Sequence, residues 1–103
     1  MARLPEILTV CGCGFGSSLL LRMAVEDVLA EENLQAKVAA WDTGTAKSQK
    51  VDMIVCSIDL VSQLDGFQGR IVPIRDITNL QEIREKFLPL FKEVLDEIAN
   101  KKI

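Results

Sequence analysis

The chain of 103 residues is 49% hydrophobic and 26% charged, proportions of a globular protein that exclude a disordered tail, a collagen-like fibre and a disulfide scaffold and fit one domain over residues 1–103. Twelve basic against 15 acidic residues give a net charge of -3, so the basic footprint of a nucleic-acid binder is missing. The absence of histidine removes the usual general base, the commonest metal ligand and every Ser/His or Cys/His catalytic pair.

Ile7 to Val10 is a short apolar run that ends in glycine and serine, the pattern of a buried strand followed by a loop. The charge-free stretch from Ile7 to Leu21 is shorter than the ~20 residues of a bilayer span and is interrupted by Gly12, Gly14 and Gly16. Glu6 before it and the lack of a small-x-small cleavage site argue against a signal peptide, so a cytoplasmic location is expected. Three cysteines without framework spacing are expected as free thiols.

Ser17 or Ser18 is expected to cap a helix in which Leu21, Val25, Val28 and Leu29 share one face, ending near Asn33. Ala36 to Trp41 reads as a second strand, followed by a polar turn at Asp42-Thr43-Gly44-Thr45 and a Lys-rich loop or single helical turn. Met53 to Cys56 is a third strand, Asp59 to Leu64 a brief helix, and Ile71 to Ile74 a fourth strand that Pro73 assigns to a sheet edge. From Asn79 on, Ile83, Phe87, Phe91, Val94 and Ile98 keep helical spacing, with Pro89 expected to split or kink the helix. Strands alternating with helices imply parallel pairing, hence a small three-layer α/β domain.

The segment Cys11-Gly12-Cys13-Gly14-Phe15-Gly16-Ser17-Ser18 falls between the first strand and the first helix, where open parallel sheets place ligands. Its alternating glycines allow a tight turn with inward N–H groups, and the helix N-terminus behind them favours an anion. A cysteine at such a position has its thiolate favoured, which makes Cys11 a candidate nucleophile. A small apolar residue at a strand end is the plain alternative.

Gly12, Gly14 and Gly16 do not fit the dinucleotide spacing, and no lysine precedes Lys37 to complete a nucleotide P-loop. Cys11 and Cys13 are one residue too close for a thioredoxin-type pair. A cysteine phosphatase would place arginine where Ser17 stands. What remains is a phosphatase-like anion loop that can accept a phosphoryl group on sulfur without apparatus for hydrolysing it, the profile of a phosphocarrier needing no cofactor.

In these residues the chain resembles the cytoplasmic IIB components of the bacterial phosphoenolpyruvate-dependent sugar phosphotransferase system, of the ascorbate and galactitol type and especially the ascorbate-specific branch, with its C-G-x-G-x-G-S-S-like loops. The likeness covers nearly the whole chain. It implies an α/β/α sandwich on a four-stranded parallel sheet of order 2-1-3-4, with a phosphatase-like loop after strand one. It further implies that Cys11 takes a phosphoryl group from a phosphohistidine of a IIA protein and passes it to a sugar, ascorbate by the likeness, in a IIC membrane permease. Gly12, Cys13, Gly14, Phe15, Gly16, Ser17 and Ser18 are then the phosphate cradle, with no metal, no nucleic acid, no membrane insertion and a monomeric chain expected.

Cys13 and Phe15 stand where that family usually carries polar residues, which adds a second thiol and a candidate docking contact at the loop tip. Cys56 ends the strand next to strand one and is either a core residue or a neighbour of Cys11. Arg75, Asp76, Asp42 and Thr43 follow strands on the same edge and read mainly as solvated loop residues. Phe87 and Phe91 read as core, and Lys47 to Lys50 as surface. Two other functions are compatible with the same loop: a noncovalent phosphate-binding regulatory module, and a thiol redox sensor built on Cys11 and Cys13.

Overall fold

The computed structural model describes residues 4–11, 15–41, 46 and 48–100, and for 15–18 the backbone. Its elements are β1 (Glu6–Val10), α1 (Phe15–Glu31), β2 (Lys37–Ala40), β3 (Met53–Ser57), a 3-10 helix (Ile58–Leu64), β4 (Arg70–Ile74) and α2 (Leu80–Asn100). The strands form one sheet in the order β2-β1-β3-β4, and all three pairings are parallel. Pro73 lies in β4, an outer strand, where a missing N–H leaves one side of the ladder intact.

The strand order dictates where the helices go. From β1 the chain steps to β2 on one side, then returns past β1 to β3 and on to β4, so right-handed crossovers put α1 on one face and the later connections on the other. Side-chain burial follows this division. Ile7, Met53, Val55, Val72 and Ile74 pack with Leu21, Val25 and Val28 of α1 and Ile83, Phe87, Phe91 and Val94 of α2. Leu8, Val10, Ile54 and Cys56, the alternate strand positions, pack with Ala46 and with Leu60 and Leu64 of the 3-10 helix. Each large apolar side chain so buried contributes about 1.5–3 kcal/mol.

The end of α1 follows from its sequence. Asn33 adopts φ 56, and the N–H groups of Asn33 and Leu34 donate to the carbonyls of Ala30 (3.2 Å) and Leu29 (2.9 Å), a Schellman closure with Leu34 returning to the core beside Leu29. Its start differs from expectation. The helix begins at Phe15, so Ser17 and Ser18 lie inside the first turn instead of capping it.

α2 also differs from one of the two expectations for Pro89, since it runs as a single helix from Leu80 to Asn100. Pro89 is exposed, as is Glu85, whose carbonyl loses the proline's N–H and turns to water. On the opposite side Phe87 and Phe91 are buried and stacked with ring centroids 5.2 Å apart. That packing, as a core pair, offsets a proline cost of about 3 kcal/mol. Asn79 caps the helix, its side-chain oxygen accepting the Glu82 N–H at 3.1 Å.

Candidate functional site

In a parallel sheet all strands end on one edge, and ligands bind at that edge where the chain's direction of travel across the sheet reverses. Here the reversal falls between β1, which leads to β2, and β3, which leads to β4. Cys11 is the first residue after β1 and sits at this position, buried with 8% of its surface exposed. Four residues later, at Phe15, α1 begins. The backbone N–H groups of its first turn, from Phe15, Gly16 and Ser17, have no acceptor within the helix, and the helix dipole adds partial positive charge there.

The expected cradle is therefore divided. Phe15, Gly16, Ser17 and Ser18 belong to the first turn of α1, while Gly12, Cys13 and Gly14 lie outside the described residues. Asp42, Thr43 and Lys47 lie outside them as well.

Around Cys11 the neighbouring strand ends are closed by backbone bonding. The Trp41 N–H donates to the Thr9 carbonyl at 3.0 Å and continues the β1–β2 pairing past Ala40. Cys56 is opposite Val10 in β3, fully buried, and its thiol is pushed up to about 11 by burial first, then by Asp59 and by Cys11. It is both the core residue and the neighbour of Cys11 that the sequence allowed.

Beyond β4, Asp76 is a loop former. Its carboxylate accepts the Thr78 N–H at 3.0 Å and the Thr78 hydroxyl at 2.6 Å, and these bonds hold it below its usual range. Arg75 is exposed and its backbone N–H donates to Glu82 at 2.6 Å. Both match the loop reading.

One feature of this edge escapes the sequence pattern. Among the described residues, every exposed large apolar side chain except Leu4 belongs to the elements at the Cys11 end: Leu19, Leu20 and Met23 in the N-terminal half of α1, Trp41 after β2, Ile58 after β3 and Leu80 at the start of α2. Leu20 is 56% and Met23 60% exposed. The signal in the sequence is that Leu19, Leu20 and Met23 fall off the Leu21-Val25-Val28 face, giving α1 a second apolar surface that the core does not use.

No group of His, Cys, Asp and Glu that could hold a metal ion occurs among the described residues, and no described helix is long and apolar enough to cross a membrane.

Comparison with known proteins agrees with this geometry. An ascorbate-specific PTS system EIIB component of Mycoplasma pneumoniae is 32% identical over 83 residues, covering 78% of this chain and 87% of that protein. The proteins of that name from Salmonella typhimurium and Escherichia coli O157:H7 are 29% identical over 91 residues, covering 85% of this chain and 90% of theirs. The lactose-specific IIB component domain of the phosphoenolpyruvate:carbohydrate phosphotransferase system from Streptococcus pneumoniae shares the fold, with a TM-score of 0.53 at 15% identity over 91% of this chain and 97% of that one. The family model for the PTS system lactose/cellobiose specific IIB subunit matches residues 6–88, and with the sheet order and the placement of Cys11 this makes the chain a member of the PTS IIB family.

Proposed function

We propose that this chain is the phosphocarrier of a sugar phosphotransferase system, with Cys11 as the residue that carries the phosphoryl group. The observation that carries the reading is the position of Cys11 directly after β1, at the reversal point of the sheet and four residues ahead of the first residue of α1. With no histidine in the chain, a phosphoryl group taken from another protein's phosphohistidine needs a different nucleophile, and a thiolate supplies it.

In the first step the Cys11 thiolate attacks phosphorus, an S–P bond forms, the N–P bond of the IIA phosphohistidine breaks, and its imidazole leaves as the neutral ring after taking up a proton. In the second step a sugar hydroxyl in the IIC permease attacks phosphorus as its proton passes to solvent, the S–P bond breaks and the thiolate returns. The chain's contribution is placement and charge: the free amide N–H groups and partial positive charge of the α1 first turn favour the phosphoryl oxygens, and we assign Gly12, Cys13, Gly14, Phe15, Gly16, Ser17 and Ser18 to the same cradle. Neither step calls for a metal or cofactor on this chain. The exposed apolar residues around the same edge support a surface that meets two protein partners in turn. The names of the relatives support ascorbate as the sugar.

Reconstitution tests this reading. The purified chain is added to phosphoenolpyruvate, the general phosphotransfer proteins, a IIA protein and vesicles bearing an ascorbate permease, and phosphorylated ascorbate is measured. Product that depends on the chain is expected. No product, in a mixture where an E. coli ascorbate EIIB component restores it, overturns the assignment to ascorbate, and lack of phosphoryl uptake by the chain itself overturns the carrier role.

A further inference from the structure

The phosphocarrier reading uses Cys11 and leaves Cys56 idle, yet the fold puts the two thiols on either side of the reversal point. Val10 is the register partner of Cys56, and Cys11 follows Val10. With strands ~4.8 Å apart and a rise of ~3.3 Å per residue, the Cα after Val10 falls about 6 Å from that of Cys56. Disulfides span Cα separations of about 4.4–6.8 Å. The strand and its pairing with β3 end at Val10, so strand alternation does not fix the direction of the Cys11 side chain. Both cysteines are free and buried, and after burial and Asp59, Cys11 is among the groups that raise the Cys56 thiol.

We propose that Cys56 is the resolving thiol of Cys11, so that a hydroperoxide converts the pair into an intramolecular disulfide. The Cys11 thiolate attacks the O–O bond, giving a sulfenic acid and, with a proton from water, one molecule of alcohol or water. Cys56 sulfur then attacks the sulfenic sulfur, an S–S bond forms, the S–O bond breaks, and the hydroxyl leaves as water with the Cys56 proton. Two thiols lose two electrons and the peroxide gains them. Cys56 acts second because it is fully buried among Leu8, Val10, Ile54 and Leu60, whereas Cys11 keeps part of its surface open to a peroxide. Closure of the bond removes the nucleophile, and a thiol reductant restores it. That consequence rests on the phosphocarrier reading, whereas the disulfide itself does not.

The test treats the full chain with one equivalent of hydrogen peroxide and follows intact mass and a peptide map for wild type, Cys56→Ala and Cys13→Ser. The expected result is a loss of two hydrogens in wild type, a cross-linked peptide pair containing Cys11 and Cys56, reversal by dithiothreitol, retention in Cys13→Ser and loss in Cys56→Ala. A cross-link between Cys11 and Cys13 that survives Cys56→Ala overturns the proposal, as does addition of oxygen to wild type without any cross-link. The wild-type map decides the pairing even if Cys56→Ala folds poorly. A disulfide formed in a chain whose reduced form takes up no phosphoryl group would leave this proposal standing and remove the phosphocarrier reading.

Discussion

The Glu82 carboxylate accepts the backbone N–H of Arg75 at 2.6 Å, and that of Asp76 at 3.0 Å. Through these two bonds the first turn of α2 fixes the loop leaving β4, on the same sheet edge as Cys11. Lys86, one turn on, donates to the same carboxylate at 2.6 Å. The Lys86 ammonium first, and then these backbone donors, hold the Glu82 carboxyl at about 2 against an ordinary 4.5.

A carboxyl held below its ordinary value stabilises the folded state above its unfolded pKa and loses that contribution as pH falls through the folded pKa. For Glu82 the window runs from about 4.5 down to about 2. Glu82→Gln is expected to cost about 1 kcal/mol at pH 7, and its deficit relative to wild type should shrink on acidification through that window. Urea unfolding at pH 7, 4 and 3 measures this. A deficit that stays constant with pH contradicts the role given to the charge.

Arg70 joins the start of β4 to α2, bonding Glu93 at 3.1 Å and Glu97 at 2.7 Å. Its guanidinium is held further toward the charged form by Glu97 first and then Glu93. Because the carboxylates are exposed, Arg70→Met should cost no more than about 1 kcal/mol. The loss should diminish in about 1 M salt, where the screening length falls to ~3 Å. Thermal unfolding at low and high salt checks both statements, and a loss unaffected by salt would assign Arg70 to packing instead.

Leu20 and Met23 are more than half exposed on the unused face of α1. Replacing either by serine should change stability by less than about 0.5 kcal/mol. If this face meets the phosphodonor protein, the KM for that protein should rise about tenfold per substitution, the loss of one well-placed apolar contact. Unchanged KM in both variants would move the docking surface elsewhere on the edge, toward Trp41 and Ile58.

Much of the fold is legible in the sequence because its signals are local and agree with one another. Met53–Cys56 is a continuous apolar run, and Ile7–Val10 is one but for the buried Thr9, because β1 and β3 are the inner strands, covered on both faces. Pro73 marks an outer strand for a reason of hydrogen bonding alone. The start of α1 is less legible: the glycines of the Cys11–Gly16 segment read as loop by their low helix propensity, while the helix begins at Phe15 and includes Gly16. For Pro89 only the expected split fails, since its cost is offset by Phe87 and Phe91, a tertiary effect that no local signal contains. The apolar edge around Cys11 is legible only in part: spacing sets Leu19, Leu20 and Met23 off the core face of α1, whereas the exposure of Trp41, Ile58 and Leu80 depends on which elements lie beside them. The sequence does single out Cys11 as the residue at the end of strand one, and the sheet order adds that this end lies at the reversal point.

The most direct test of the central claim is intact-protein mass after incubation with phosphoenolpyruvate, the general phosphotransfer proteins and a IIA partner, comparing wild type, Cys11→Ser and Cys13→Ser. The account predicts one phosphoryl increment on wild type and on Cys13→Ser, and none on Cys11→Ser. An increment that persists in Cys11→Ser, or its absence from wild type in a mixture that labels an E. coli ascorbate EIIB component, would contradict it.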